Sequence, residues 1–436
     1  MNFSSSSATA DFSSNSPVPV CIVGIGGFAE SHHKAIFDLE QKGVFKLVAT
    51  CDPNHLSLGL QEIAAKMEFE RRGVRVYADF DELIKRHEKE TQLITLPVPI
   101  RFHAPMHAAC VERGIACYLE KPPTLNPREL EEMIAVDEKA AKATQVGFNY
   151  IVESWRHKLK ERLFAGEFGK LQRITFLGEW PRDAKYYSRA PWAGKLMGTD
   201  GTLILDSCFG NAMAHYIHNS LFFAGQDGVF SWTQPRQIRS ELYRANSIQS
   251  FDTLFSEAQT ESDVIIRIAM SHATSPENGS ITRETLYCEK ARIEITPHVG
   301  AKIFFNEEEK KETHEIGYNE LVQANFLHYL AYLQGKAARP TTLLKDSRPF
   351  VSWNAMNFVA AGKITNIPKD HIKTITNPHT ESPVQVIDGI SDALTHFLNT
   401  GQMPSENAVS WAQVGGSAEV TPQNLEKLND VVKSLV

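Results

Sequence analysis

At 436 residues the chain is too long for one hydrophobic core, so two domains are expected. A formal net charge of -7 gives no electrostatic footprint for nucleic acid, and no uninterrupted apolar run is long enough to cross a bilayer. Six cysteines (Cys21, Cys51, Cys110, Cys117, Cys208 and Cys288) are scattered without metal-ligand spacing, so they read as buried free thiols of a reducing compartment, and no metal site is indicated. What remains is a soluble, cytoplasmic protein without nucleic-acid or membrane partners.

Residues 1–17 are serine-rich and lack the basic start and apolar core of a signal peptide, so they read as a disordered leader. An apolar strand, Val20-Cys21-Ile22-Val23, then runs into Gly24-Ile25-Gly26-Gly27-Phe28-Ala29, and a helical stretch follows from Glu30 to Leu39. Gly24 suits a tight turn, Gly26 lets the backbone approach a pyrophosphate, and Ala29 permits close helix–strand packing. The turn, including Gly27 and Phe28, leads into a helix N-terminus whose N–H groups are open to an anion. A second apolar strand, Phe45 to Cys51, ends in Asp52, where a carboxylate can accept the hydroxyls of an adenosine ribose. Asp52 before Pro53 is also an acceptable turn residue. A carboxylate there repels a 2′-phosphate and no arginine follows at once, which favours NAD over NADP.

Short strands and helices continue to alternate. Leu93 to Leu96 is a strand, His103 to Arg113 a helix and Ala116 to Leu119 a strand that closes in Glu120-Lys121-Pro122. Asn126 to Ala143 reads as a long helix and Gln145 to Phe148 as the next strand. This alternation specifies an α/β fold with an N-terminal Rossmann parallel sheet over 18–150. After Tyr150 the rhythm changes to Leu171–Glu179, Thr253–Gln259, Val264–Met270, Thr285–Glu289 and Arg292–Thr296, strands joined by turns. They imply a C-terminal α+β domain, 151–366, with an open, mostly antiparallel sheet. Asn319–Gln334 and Ser347–Ala361 read as its amphipathic helices, stopped by Gly335 and Gly362.

Over Val18 to Gly362 the chain resembles the Gfo/Idh/MocA oxidoreductases, which include glucose-fructose oxidoreductase and inositol dehydrogenase. The resemblance rests on Gly24, Gly26 and Ala29, on His32, on Tyr77-Ala78-Asp79-Phe80-Asp81-Glu82-Leu83, and on Pro99, His103, Gly114 and Glu120-Lys121-Pro122. It implies NAD as cofactor, with Pro99, His103, Glu120 and Lys121 joining the turn residues and Asp52 at the cofactor, where Glu120 positions either the lysine or the cofactor. It also implies an acid–base role for His215, which sits ten residues before Gly225 at the position of the family's helical histidine. Asn211, His215 and His218 would share one face of a helix over Asn211–Phe223, opposite Met213, Ile217 and Leu221. Where the family has two aspartates this chain has Asn211 and His218, and Asp206 suits the preceding loop. The family's arginine after Gly147-Phe148-Asn149 is replaced by Tyr150. Two imidazoles one turn apart could ligate zinc, but no third ligand is indicated by spacing.

Lys121 is either an exposed turn residue or, at the end of a parallel strand, the group that reaches the reacting hydroxyl with a lowered pKa. The loop Trp180 to Lys195 is dense in aromatics and basic groups, of which Trp192 and Lys195 join Tyr150, Asn211 and His218 as candidate substrate contacts. Two apolar helical faces, one from Ile390, Leu394, Phe397 and Leu398, the other following Thr421-Pro422, make 367–436 a helical extension that has to be buried.

The expected activity is therefore hydride transfer between nicotinamide and a carbinol carbon of a sugar or polyol, with Lys121 and His215 handling the proton. A lyase or glycoside hydrolase that uses NAD transiently, and a redox-silent NAD-binding protein, are the alternatives. A sheet with helices on one face only would leave an apolar face, so self-association as a homodimer or homotetramer is expected.

Overall fold

Five of the six residues of Val18–Val23 (β1) are buried, the pattern required of a strand in a parallel sheet covered on both faces. A computed structural model describes residues 17–53, 60–305 and 308–436. The leader expected over 1–17 lies, but for its last residue, outside them. After β1 come α1 (Ala29–Gln41), β2 (Phe45–Cys51), α2 (Leu60–Arg71), β3 (Arg75–Tyr77), α3 (Phe80–His87), β4 (Leu93–Leu96), α4 (His103–Glu112), β5 (Ala116–Leu119), α5 (Pro127–Asp137) and β6 (Gln145–Val146). The helix expected from Asn126 to Ala143 thus ends at Asp137, whose carboxylate instead accepts the N–H of Thr144 (3.0 Å) and fixes the turn into β6.

The chain continues with α6 (Ser154–Phe164), β7 (Leu171–Glu179), α7 (Ala184–Ser188), α8 (Ala214–Ala224), β8 (Pro235–Arg244), β9 (Thr253–Thr260), β10 (Ile265–Ser271), β11 (Ile281–Cys288), β12 (Arg292–Thr296), β13 (Gly300–Phe305) and β14 (Glu308–Thr313). Then follow α9 (Tyr318–Leu333), α10 (Arg348–Ala361), β15 (Thr365–Asn366), β16 (Ile372–Thr376), β17 (Pro383–Ile387), α11 (Ile390–Thr400), β18 (Gly416–Glu419), α12 (Pro422–Glu426) and α13 (Leu428–Leu435).

Two compact units result. The first holds the described residues up to Thr124, together with Arg128–Glu153 and Ile316–Ser347. Its six strands run parallel in the order β3-β2-β1-β4-β5-β6, a doubly wound sheet whose strand order reverses between β1 and β4. The helix expected over Asn319–Gln334 was assigned from sequence to the second domain, yet α9 belongs to this first unit. Its Asn319 and Gln323 amides donate to Asp38 of α1 (2.7 and 3.0 Å), and its Phe326 meets Tyr118 and Phe45 with ring centroids 4.8 and 6.0 Å apart. Val322, Phe326, Tyr329 and Leu333 close the same core as Val20, Leu47 and Leu93.

The second unit, Leu125–Pro127, Ser154–Glu315 and Arg348–Val436, is built on a ten-stranded, mostly antiparallel sheet in the order β14-β13-β12-β11-β7-β10-β9-β8-β15, with β18 also paired to β8. Only β7/β10 and β8/β15 are parallel among its pairings. Residues 367–436, read from sequence as a separate extension, are part of this unit. Alternation along β8 shows how. Ser240 faces α10, donating to Asn357 Oδ1 (2.5 Å), whereas Tyr243 faces the other way, with its ring 5.1 Å from Trp411. On that second face Leu177, Phe255 and Ala269 pack under Ile390, Leu394, Phe397 and Leu398 of α11. The expectation of helices on one face only therefore fails. The chain's own tail covers the second face, and the argument for a homodimer or homotetramer built through it loses its premise.

Candidate functional site

In the first unit the turn from β1 into α1 has the shape its glycines predict. Gly24 sits at φ +107°, and a Cβ there would lie 3.2 Å from that of Ala29 and 3.4 Å from the Pro97 carbonyl, so Ala29 and the loop after β4 close tightly on it. Gly27 also has positive φ (+61°). Phe28 is the N-cap of α1 and supplies no side-chain cap, which leaves the helix start for an external acceptor. Asp52, half-buried past the end of β2, accepts the N–H of Ile25 through Oδ2 (3.2 Å), which holds the acid against the turn. His33 donates through Nε2 to the Gly24 carbonyl (2.9 Å), and burial holds its pKa down to about 4, so it braces the turn as a neutral ring. This cradle of small residues, uncapped helix start and ribose-side carboxylate fits a dinucleotide. Cys21 and Cys51, in the strands behind it, are pushed up to about 12 by burial and are inert as thiolates.

The Glu120-Lys121-Pro122 segment is fixed from below. Glu120 is 4 % exposed; its Oε1 lies 3.0 Å from His32 Nε2 and its Oε2 accepts the Lys121 N–H (3.2 Å). The opposite nitrogen of His32 meets Thr95 Oγ1 at 2.5 Å. Gly147 makes room: a Cβ there would stand 2.5 Å from Glu120 Oε1. Glu120 thereby positions the Lys121 backbone. His103 is held from several sides as well. It is buried, its Nε2 faces the Val98 carbonyl (2.9 Å) and its Nδ1 the Pro122 and Pro123 carbonyls (both 3.1 Å), so it ties together the loops after β4 and β5. Burial lowers its pKa against those backbone bonds. Pro99 is exposed at the start of a 3-10 turn, and Lys121 is half-buried beyond the C-terminal end of β5.

Tyr150 is buried, and beside it stands a residue the sequence reading missed. Tyr318 opens α9 and is 40 % exposed, with its ring 6.5 Å from Phe28 of the glycine turn. Burial, Glu120 and Tyr150 all raise its pKa. No local signal marked Tyr318, because its neighbourhood is assembled by the return of α9 from far along the chain.

In the second unit the expected face of Asn211, His215 and His218 does not form. Cys208–Ala212 is a separate wide helical turn, and α8 starts only at Ala214. Every residue of α8 is buried except His215. His218 is fully buried, its ring 5.1 Å from that of Trp232, whose Nε1 donates to Nδ1 (3.3 Å). It lies in the core, as do all the residues of α8 other than His215. Asn211 donates through Nδ2 to Asp206 Oδ1 (2.8 Å), and Asp206 Oδ2 accepts the Gly194 N–H (2.7 Å). That carboxylate thus links the aromatic loop to the entry of α8. Trp192 is half-buried in the loop under the Arg189 guanidinium (4.7 Å from ring centroid to Cζ), and Lys195 is exposed.

Comparison with known proteins agrees with this geometry. Residues 18–148 match the profile of the oxidoreductase family with an NAD-binding Rossmann fold, Gfo/Idh/MocA. A D-glucoside 3-dehydrogenase of Escherichia coli (strain K12) is 27 % identical over 165 residues, 37 % of this chain and 43 % of that enzyme, so the chain matches less than half the length of this curated relative. Among solved structures, the WlbA dehydrogenase of Chromobacterium violaceum with NADH and UDP-GlcNAcA superimposes with TM-score 0.60 at 19 % identity, covering 79 % of this chain and 93 % of that one. An oxidoreductase of Agrobacterium radiobacter with NAD+, L-tartaric acid and magnesium gives 0.62 at 15 % identity, covering 79 % and 96 %. At such identities these structures establish a shared fold. The glycine turn, Asp52 and the buried Glu120 all lie within residues 18–148, the segment that matches the NAD-binding Rossmann fold of the Gfo/Idh/MocA oxidoreductase family.

Proposed function

We propose that the protein is an NAD-dependent dehydrogenase or reductase that transfers a hydride between nicotinamide and a carbinol carbon of a sugar, polyol or derivative. One observation carries the reading: Lys121 leaves the end of β5 on a peptide N–H held by buried Glu120, itself held by His32, in the same sheet as the glycine turn. The ammonium is therefore delivered from a rigid strand end, which acid–base work on a hydroxyl needs. NAD, when bound, supplies the hydride acceptor or donor. Glycine-turn amides hold its pyrophosphate and Asp52 its ribose. Lys121 Nζ passes the hydroxyl proton, and His215 exchanges it from the one partly exposed position of α8. Asn211, held by Asp206, orients the substrate in place of the family's carboxylate. The D-glucoside specificity of the Escherichia coli relative supports a carbohydrate substrate.

A screen of sugars and polyols with NAD or NADH, followed by the absorbance of reduced nicotinamide, tests the proposal. On an active substrate Lys121→Ala and His215→Ala should each lower kcat by about 10²- to 10⁴-fold with NAD affinity nearly unchanged. Full turnover by His215→Ala would remove the histidine from the chemistry. Product formation without net change in NADH would replace the dehydrogenase with a lyase or hydrolase using NAD transiently.

A further inference from the structure

Beyond the end of β7 the chain enters a loop in which two arginines share one aromatic ring. The Arg189 guanidinium lies 3.7 Å from the Tyr186 ring centroid and that of Arg182 lies 4.8 Å from it. Trp192 backs Arg189 at 4.7 Å and Trp180 backs Arg182 at 5.3 Å. Two like charges brought this close repel, and the aromatic faces offset only part of that. Asp206 stands 3.9 Å from Arg189, but its oxygens also take Gly194 N–H and Asn211 Nδ2. Arg182 has no carboxylate partner among the described residues, and its Nε is buried without an acceptor.

His272 adds no charge to the cluster: it is buried with Nδ1 on the Trp180 carbonyl (2.9 Å), and burial together with both arginines lowers its pKa to about 3, which keeps the ring neutral. The charged groups felt by the Tyr186 hydroxyl are Arg189, Asp206 and Arg182, two positive charges against one negative. Among Arg182, Arg189 and Asp206 the arginines are in excess by one charge, held in planar guanidinium geometry.

This cluster and His215 share one end of the unit. Trp180 meets the ring of Tyr216 at 6.0 Å, Tyr216 stacks on Phe176 of β7 at 4.8 Å, and Tyr216 follows His215 directly. We propose that Arg182 and Arg189 form a carboxylate subsite, so that the alcohol undergoing oxidation belongs to a sugar acid or hydroxy acid. The proposal rests on the dehydrogenase reading and narrows its substrate class. A single carboxylate matches the single uncompensated charge and the fork geometry of a guanidinium, whereas a phosphate dianion would leave an excess of negative charge.

The test compares D-gluconate, D-glucuronate and D-galacturonate with D-glucose, D-galactose and sorbitol, and with glucose 6-phosphate, on the NAD-loaded protein. Binding is read by saturation-transfer NMR and turnover by reduced nicotinamide. At least one acid should exceed its neutral counterpart about tenfold or more in affinity or kcat/KM, and Arg182→Gln and Arg189→Gln should each bring that ratio close to one. Arg182→Lys, which keeps charge but not the fork, should recover part of it. Because the readout is a ratio on one protein, loss of folded material does not imitate it. Equal treatment of acids and neutral sugars, an unaltered ratio in both glutamine variants, absence of binding by every acid, or preference for the phosphate would overturn the subsite. Turnover of neutral sugars with an unaltered ratio would sink the subsite and keep the dehydrogenase; acid binding lost in Arg182→Gln without any turnover would keep the subsite and sink the hydride chemistry.

Discussion

Replacing Phe397 by alanine tests whether the tail is a structural lid on the second sheet. Phe397 is fully buried in α11, edge-on to Phe255 of β9 with ring centroids 5.7 Å apart and planes at 86°. Burying a phenylalanine removes about 200 Å² of apolar surface, worth roughly 5 kcal/mol at about 25 cal/mol per Å² as an upper bound. Core Phe→Ala changes cost about 3–5 kcal/mol. For a unit of this size that corresponds to a fall of roughly 6–20 °C in its melting temperature. Calorimetry of Phe397→Ala beside the exposed control Thr395→Ala, which should stay within about 0.5 kcal/mol of the parent, reads the difference. The double variant Leu394→Asp with Phe397→Asp should expose Leu177, Phe255 and Ala269 and self-associate in light scattering. A Phe397→Ala protein that melts within about 1 °C of the parent would refute the lid, because a bound tail cannot lose that ring so cheaply.

Other consequences can be measured directly. Gly147→Ala should push Glu120 off His32, destabilising the first unit by about 1–3 kcal/mol and weakening NAD-linked activity, since the added Cβ would stand 2.5 Å from Oε1; thermal melting and kinetics on one preparation check it. Gly401→Ala should cost about 1–2 kcal/mol from its φ of +80° alone, and more through Arg267, which donates to the Leu398 and Asn399 carbonyls at the end of α11. His33 is neutral when folded, with its pKa lowered from 6.5 to about 4, so its contribution is complete above pH 6.5 and is lost as pH falls toward 4, by roughly 3 kcal/mol in all. Urea melts across that window should show the slope, and His33→Gln should flatten it. Titration of both cofactors should find NAD at least about tenfold tighter than NADP because of Asp52, and the reverse order would remove that role from Asp52.

The first unit was legible because its information is local. A strand, a Gly24–Ala29 turn, a helix and an acid at the end of β2 are consecutive, and apolar periodicity alone orders them into a parallel sheet. The second unit was legible in part. β7 and β12 match the sequence reading at both ends, and β9, β10 and β11 match it with shifted ends, because each carries an apolar run or alternation that a local window detects. β8 escaped detection because it reads Pro-Arg-Gln-Ile-Arg-Ser-Glu-Leu-Tyr-Arg. Its Arg239 pairs with Glu406, its Glu241 bonds to Ser405, and its Tyr243 lies against Trp411. Those partners come from the tail, so no window around β8 could reveal that its polar face is satisfied. The same distance in sequence hid Tyr318, and it reassigned α9.

Site chemistry divides along the same line. The sequence marked Glu120, Lys121, His103 and His215 as residues of note through its resemblance to the oxidoreductase family. Only tertiary packing decided their duties. Packing buried Glu120 and His103, enclosed His218 beside Trp232, and left His215 as the single position of α8 that is not buried. A side chain's chemistry is written in its identity, but whether that chemistry meets water, backbone or substrate depends on what covers it, and the covering residues here lie up to hundreds of positions away.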